Sequence, residues 1–210
     1  MDRLARTGAA ATLAFATAVV AVVLTTDLDH GSPADPSAGL IEAWSQTRTM
    51  THRSVGLTER RSETSDDALQ SPVEVVQRAP DRLLRQFGEV RGRRDDRVLD
   101  CPAPLGDGAP PCVLGPPGES FTDVVEREIT EFEALFTGAD PLYEVAPAAG
   151  GCWAMHRTRY DPRSGFGIDA RFCFADDGTL RSVRIDHGDV VETTTYDEVT
   201  TDVRDADLEP

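Results

Sequence analysis

The chain has 210 residues and carries 37 acidic against 21 basic side chains, a net charge of −16 with histidine neutral. So negative a protein is not expected to bind nucleic acid or to lie flat on an anionic membrane surface, because both reward positive charge. The sequence contains no lysine, which excludes a P-loop and Schiff-base chemistry.

The N-terminal segment Gly8–Leu24 has no charged residue, and two arginines precede it. A helix needs about 20 mainly apolar residues to cross a bilayer core, and residues 7–26 supply that length. The positive-inside rule keeps the N-terminus in the cytoplasm and exports the rest. We therefore predict a signal-anchor or transmembrane helix at residues 1–26, with the lipid bilayer as partner of residues 7–26. The alternative is a signal peptide cleaved at Ala16-Thr17-Ala18, which would release a secreted protein.

Cysteines occur only in the part that we expect to be exported, at Cys101, Cys112, Cys152 and Cys173. In an oxidising compartment an even number of cysteines indicates disulfides, here with three connectivities open. The spacing lacks the close pairs of a structural zinc site. We expect two disulfides, no metal and no cofactor.

After the anchor, residues 27–37 are polar and proline-containing and are predicted to be a linker, and the folded domain is predicted at residues 38–210. Pro36-Ser37 opens a helix with one apolar face. That face carries Leu40, Ile41 and Trp44. Thr47–Arg61 is predicted to be a long, polar strand, followed by a loop at residues 62–71.

More strands are predicted before the first cysteine. Val73, Val75 and Val76 mark one that Pro80 either ends or places at a sheet edge, since proline cannot donate to a sheet ladder. Arg82–Val90 and Arg97–Cys101 follow, joined by the charged segment Arg91–Asp96. We interpret this segment as a solvated hairpin tip and not as an anion site, because its opposite charges neutralise each other.

The clearest soluble helix spans residues 120–137, where apolar side chains recur on one face and charged side chains on the other. Ser120 is a suitable N-cap, and Gly138 is a suitable stop after the last turn. The apolar stripe is typical of a helix packed on a sheet, although such a helix can also roof a cavity. It consists of Phe121, Val124, Val125, Ile129, Phe132 and Phe136.

Residues 152–174 alternate between apolar and polar side chains on both sides of a turn at 161–165. If Cys152 lies opposite Cys173, Trp153 faces Phe172, and the hairpin acquires one apolar and one polar face. A slip by one residue would mix the two faces. The alternation therefore predicts the disulfide Cys152–Cys173 and, by elimination, Cys101–Cys112.

Asp177-Gly178 is a strong hairpin signal, and its register adds a third strand with Val183 opposite Phe172. A fourth strand follows at residues 190–196, and Thr200–Leu208 is predicted to continue it. The apolar face of this meander and the helix over it form the candidate ligand-binding surface. The candidate residues are Trp153, Met155, Ile168, Phe172, Val183 and Ile185 from the strands, with Phe121, Val125, Ile129, Phe132 and Phe136 from the helix.

The sequence contains no strong pattern of catalytic residues. His156 and Asp169 face each other in the predicted register, and we interpret them as an exposed cross-strand pair. No serine lies in a nucleophile elbow, and the remaining histidines, His30, His52 and His187, lack metal-ligand spacing. We therefore predict a protein that is not an enzyme and has no catalytic residues.

The layout resembles the LolA-like group of exported lipoprotein carriers and lipid-binding proteins over residues 37–210. The resemblance lies in the short first helix, the long first strand, the meander with its Asp177-Gly178 hairpin, and the closing segment Val199–Leu208. It implies an α+β fold in which a curved antiparallel half-barrel sheet packs against one or two helices and holds acyl chains on its concave face. The two disulfides and the hydrophobic tether depart from the group and argue against shuttling between membranes.

Two functions follow from these features. The first is a membrane-anchored, single-pass, extracytoplasmic binding protein for a lipid or other apolar ligand, without catalytic activity. The alternative is a cell-envelope interaction or sensory module with a filled core, whose partner is an envelope protein and which takes no small-molecule ligand. The two differ in whether a cavity exists beneath the helix.

Overall fold

The computed structural model describes residues 35–65, 67–104, 111–162 and 164–210. The predicted transmembrane helix at residues 1–26 and most of the predicted linker lie outside these ranges. Within them, no helix has the length and apolar character needed to cross a bilayer.

A large, curved antiparallel sheet of eleven strands forms the framework of the described chain. Its spatial order is β6-β5-β4-β3-β2-β1-β11-β10-β9-β8-β7, with β6 and β7 at the two edges, so the sheet is open. With two helices added, the fold class is α+β, as predicted. The strands are β1 His52–Ser62, β2 Ala68–Arg78, β3 Asp81–Gln86, β4 Glu89–Arg94, β5 Arg97–Cys101, β6 Val113–Pro117, β7 Tyr143–Ala148, β8 Cys152–Arg157, β9 Asp169–Phe174, β10 Leu180–Asp186 and β11 Val190–Thr200.

Both α-helices begin at side-chain caps. Helix α1 spans Pro36–Thr49, and the carboxylate of Asp35 accepts a hydrogen bond from the Ser37 amide at 3.0 Å. Helix α2 spans Phe121–Glu133, and the predicted N-cap Ser120 accepts a bond from the Asp123 amide at 3.1 Å. These contacts satisfy backbone donors that a helix start leaves unpaired.

The predicted register of the C-terminal meander is confirmed. Cys152 lies opposite Cys173, Trp153 opposite Phe172, and Val183 opposite Phe172 from the other side. Both predicted disulfides, Cys152–Cys173 and Cys101–Cys112, are present. The alternation of apolar and polar side chains was sufficient to fix this part of the fold.

The predicted strand at Thr47–Arg61 was wrong at its start, because α1 continues to Thr49 and β1 begins only at His52. The Thr47 side chain is buried. It donates to the carbonyl oxygen of Gly178 at 2.7 Å. This contact stabilises the last turn of α1. Because the two residues are far apart in sequence, no local sequence pattern indicates it.

Arg82–Val90, predicted as one strand, is divided into β3 and β4 by a turn at Phe87-Gly88, where φ is +54° and +79°. The arginines that were assigned to a hairpin tip therefore belong mostly to β4. The glycine at position 88 was the only sign of this turn in the sequence. Glycine adopts positive φ readily, and the side-chain pattern continues through the turn.

The chain end was also predicted incorrectly. Strand β11 stops at Thr200, and Asp205–Leu208 forms a short 3₁₀ helix instead of a strand. Leu208 and Val203 pack on Val76 of β2 in a small buried cluster. The free energy gained by burying these two apolar side chains against β2 outweighs that of extending the hydrogen-bond ladder of β11.

Candidate functional site: a groove between the two helices

The apolar face of the meander is packed against both helices. Phe172 and Met155 are each 1 % exposed and share a buried cluster with Leu40 of α1 and Phe132 of α2. Trp44 of α1 stacks on Phe132 with 4.6 Å between ring centroids and meets Phe172 edge-on at 5.7 Å. Aromatic rings thus fill most of the interface that the sequence predicted.

The candidate ligand-binding residues are found at different depths of this interface. Phe132, Met155 and Phe172 are buried in the cluster, whereas Trp153, Val183, Ile185 and Phe136 are partly buried against it. Phe121 and Val125 are buried on the N-terminal part of α2. Ile129 and Ile168 are partly exposed. Of these side chains, Phe132 also borders an open groove.

This groove, which we call the helix groove, lies between α1, α2 and the connection from β8 to β9, and its volume is about 280 Å³. Aromatic rings border it together with charged groups from both helices. The lining residues that matter here are Trp44, Arg48, Glu128, Glu131, Phe132 and Phe166. It therefore combines apolar walls with a few polar groups, the composition typical of ligand pockets.

Helix α1 is held in place at its C-terminal end by the sheet. The amide nitrogen of Gln77, a buried β2 side chain, lies 3.2, 2.8 and 2.8 Å from the carbonyl oxygens of Thr47, Arg48 and Met50. These oxygens are at a helix end, where no intrahelical partner remains. Gln46 also donates to the Asp177 carbonyl at 3.1 Å, so the predicted hairpin turn supports α1.

Helix α2 is fixed at two points. The Asp96 carboxylate accepts a 2.7 Å hydrogen bond from the Phe121 amide at the helix start. One turn before Phe132, the Arg82 guanidinium donates two bonds of 2.9 Å to the two carboxylate oxygens of Glu128. Such a bidentate pair fixes orientation as well as distance, and it connects α2 to β3 beside the helix groove.

The charged groups of the helix groove influence one another. The Arg48 guanidinium lies 4.3 Å above the centre of the Trp44 ring, and its Nε is 3.4 Å from Glu128 Oε2. Burial, aided by the charge of Arg82, lowers the pKa of Arg48 to about 10. Although burial opposes ionisation of Glu128, the Arg82 hydrogen bond and both guanidinium charges hold its pKa below the ordinary value. Arg48 and Glu128 are therefore both charged at neutral pH.

A second recess, of about 420 Å³, lies beside the turn between β3 and β4. Its apolar lining includes Val55, Pro72 and Phe87. The charged groups at this recess pair with each other, since Glu74 accepts from Arg53 at 2.5 Å and from Arg85 at 2.9 Å. This recess is larger than the helix groove but has no aromatic cluster from the two helices at its wall.

The predicted His156–Asp169 contact is present, with 2.7 Å between Nδ1 and Oδ1, and both side chains are exposed. Register places the pair on the sheet face opposite Met155 and Phe172. In the part of the chain that the structure describes, no three His, Cys, Asp or Glu side chains come together in a way that could hold a metal ion.

Sequence reasoning missed most of the helix groove. Trp44 was placed on the apolar face of α1, but Arg48, one turn later, was assigned to a strand. Phe166 was not singled out because it lies in a loop, where periodicity gives no information. The spacing of Trp44 and Arg48 by four residues was the available signal, since such pairs share a helix face.

No protein-family model matches the sequence, and no curated protein matches it. The solved structures that it resembles include the lipoprotein LppX of Mycobacterium tuberculosis, with 14% identity and a TM-score of 0.44, over 82% of this chain and 99% of that chain. The LolA superfamily protein NE2245 of Nitrosomonas europaea has 9% identity and a TM-score of 0.37, over 83% and 97%. A chain of the MucA/MucB complex of Pseudomonas aeruginosa has 13% identity and a TM-score of 0.46, over 84% and 61%.

One of these solved structures, NE2245, is described as a LolA superfamily protein, the group that the element order of this chain resembles. Sequence identity is low in each case, and none of these TM-scores reaches 0.5. A similarity at this level does not identify a ligand, so the function has to be inferred from the residues of this chain.

Proposed function

We propose that this chain is a membrane-anchored extracytoplasmic binding protein for a lipid or other apolar ligand, and that the ligand binds in the helix groove. One observation carries the proposal: the rings of Trp44, Phe132 and Phe166 border an open volume of about 280 Å³. Ligand pockets usually measure about 300–1,000 Å³ and are lined by apolar and aromatic side chains. The volume of the helix groove lies just below that range.

An acyl chain in the helix groove would replace water against aromatic surface. Each square ångström of apolar surface removed from water contributes about 25 cal/mol to binding before entropic costs. The groove lies directly over the cluster of Phe132, Phe172 and Phe166, whose centroids are 5.6–6.1 Å apart. The candidate residues of the meander would then support the groove wall, and Phe132 would contact the ligand.

The anchored arrangement consists of a transmembrane helix at residues 1–26, a linker at 27–37 and the domain at 38–210 outside the cytoplasmic membrane. It is supported by the uncharged segment after two arginines and by the two disulfides, which require an oxidising compartment. Mass spectrometry of protein from its native host should find an intact N-terminal segment in the membrane fraction. A soluble mature chain that begins after Ala18 would contradict anchoring and favour secretion.

Fluorescence quenching tests ligand binding in the helix groove, because the chain has only two tryptophans. Trp44 lines the groove, whereas Trp153 packs against Phe174 with 5.5 Å between ring centroids. A dibrominated fatty acid quenches an indole with which it is in contact. In the full chain in nanodiscs, we expect saturable quenching of the Trp153→Phe variant, in which only Trp44 fluoresces.

The matched control is Trp44→Phe, in which only Trp153 fluoresces and quenching should be weak. Binding in the groove would be refuted by equal, non-saturable quenching of both variants, since that is the behaviour of ligand dissolved in the disc. Quenching confined to Trp153 would place the ligand elsewhere on the domain.

The alternative function, an envelope interaction or sensory module, is favoured by the filled interface between the helices and the meander. Trp44, Phe132 and Phe172 already contact one another there. A protein of that kind would show no saturable quenching of Trp44. It would instead copurify with an envelope protein after chemical cross-linking in intact cells.

A further inference from the structure

We propose that the helix groove selects amphiphiles with an anionic head group, a carboxylate or a phosphate, and that Arg48 binds this head group. The inference rests on the proposed function and adds the chemical class of the ligand. It is carried by the charge balance of the groove and by two buried donors that lack partners.

Positive charge exceeds negative charge where α1 and α2 meet the sheet. Glu128 is shared by two guanidiniums, but its two oxygens already accept both bonds from Arg82 at 2.9 Å. Arg48 approaches the same carboxylate only at 3.4 Å. One guanidinium charge at the groove therefore has no carboxylate of its own, which favours an anion there.

Two nitrogen donors of the groove-lining residues lack hydrogen-bond partners. Arg48 Nε and Trp44 Nε1 are buried, and neither makes a hydrogen bond to the residues that the structure describes, although Arg48 Nε lies 3.4 Å from Glu128 Oε2. A buried donor without an acceptor costs free energy. An acidic head group supplies oxygens for such donors, whereas a methyl or methylene group supplies none.

The other ionisable groups near Arg48 do not remove this excess. Glu131 borders the groove, but it is 65% exposed and its carboxylate pairs with Arg127 at 3.3 Å. Burial raises the pKa of Tyr196 and lowers that of His52, so both side chains are neutral at pH 7. Arg48 and Arg82 therefore dominate the potential at the head-group end.

The arrangement suits a single-chain amphiphile in one orientation. The head group would lie at Arg48, and the apolar chain would extend along Trp44, Phe132 and Phe166, which border the same groove. Arg48 can bind carboxylate or phosphate through two parallel N–H groups, because its guanidinium is planar.

Three soluble eight-carbon ligands and one anion without an apolar chain test this assignment. Octanoate, octyl phosphate, 1-octanol and inorganic phosphate would compete with the brominated fatty acid for Trp44 in the full-length Trp153→Phe protein. We expect octanoate and octyl phosphate to bind at least about tenfold more tightly than 1-octanol, as a charge-assisted hydrogen bond implies. Inorganic phosphate should compete weakly, since it lacks the apolar chain.

Variants separate a head-group contact from a purely structural role. Arg48→Met should weaken octanoate binding until its affinity equals that of 1-octanol, while the affinity of 1-octanol changes by no more than about twofold. Arg48→Lys should restore part of the difference in affinity between the two ligands. Glu128→Gln removes the competing carboxylate and should tighten octanoate binding. Arg171→Gln, at an exposed position of β9 on the sheet face opposite Phe172, is the matched control and should change nothing. Each variant needs a thermal melt to show that it is folded.

The inference would be overturned if octanoate and 1-octanol bound equally well to the folded protein, or if Arg48→Met weakened both alike. Equal binding would leave the proposed function intact, because apolar ligands would still enter the groove. Failure of all chained ligands to compete would instead refute the proposed function. Strong binding of inorganic phosphate alone would identify a simple anion site and refute the amphiphile.

Discussion

Gln77 connects the sheet to the last turn of α1 and so helps to position Arg48. Its side chain is 1% exposed, and its amide group lies within 3.2 Å of three carbonyl oxygens at that helix end. Gln77→Leu keeps the side-chain volume but leaves those oxygens without the donor. We expect it to lower the free energy of unfolding by roughly 1–3 kcal/mol.

Urea denaturation measures this effect. Gln70→Leu, at an exposed position of the same strand, is the matched control and should change stability little. Equal stability of the Gln77 variant and the wild type would show that water satisfies the carbonyls and that Gln77 does not fix α1.

His52 makes stability depend on pH in the weakly acidic range. Burial, reinforced by the charges of Arg48 and Arg82, holds its pKa below the ordinary value, and a bond to the Met50 carbonyl only partly offsets this. The unfolded chain therefore binds the proton more readily than the folded protein. The contribution of His52 to stability is complete above about pH 6.5, the unfolded pKa, and is lost as pH falls toward the folded pKa.

We expect the free energy of unfolding to decrease from pH 7 to pH 5.5, and His52→Gln to flatten that decrease. Chemical denaturation at several pH values checks this, with His187→Gln in the exposed turn after β10 as control. An unchanged slope in the His52 variant would assign the pH dependence to other groups.

At the residue scale, sequence reasoning found side chains that repeat with a period and missed those that act through distant contacts. Trp153 and Phe172 were placed correctly because alternation fixes their face. Gln77 and Arg48 were not identified, since their roles depend on the meeting of α1 with β2, which no local pattern describes.

The disulfide between β8 and β9 should stabilise the meander considerably. Cys152 and Cys173 are 21 residues apart, and closing a loop of that length is worth about 3 kcal/mol in the chain-entropy account. The double variant Cys152→Ser/Cys173→Ser should lose about that much in urea denaturation. Cys101→Ser/Cys112→Ser, which opens a shorter loop of 11 residues, should lose somewhat less.

Peptide mapping without reduction shows whether the same pairs form in the native host. We expect only the two links present in the structure. Free thiols at all four positions would contradict export of the domain, and a link from Cys101 to Cys152 would contradict the strand register.

Among the elements, the sequence predicted those with strong periodicity or a clear turn. The Asp177-Gly178 hairpin and helix α2 were found in this way. Strands β6 and β7 were not predicted, because each is short and contains proline, and both lie at sheet edges where proline is tolerated. The division of β3 from β4 was missed because only Gly88 marks it.

In the part of the domain that the structure describes, three buried clusters hold the sheet together. The largest joins the two helices to β7–β10 and carries the aromatic wall of the helix groove. A second joins the C-terminal segment to β2, and a third joins β3 and β5. The α+β class and the antiparallel sheet followed from strand pattern, whereas the open groove did not, since cavity volume depends on how side chains meet across elements.

Native mass spectrometry of residues 27–210, exported and purified without added lipid, tests most directly whether this domain binds an apolar ligand. We expect a retained lipid mass that 1-octanol and octanoate displace, octanoate at the lower concentration. A bare polypeptide mass under all gentle conditions, with no lipid in the solvent extract, would contradict it.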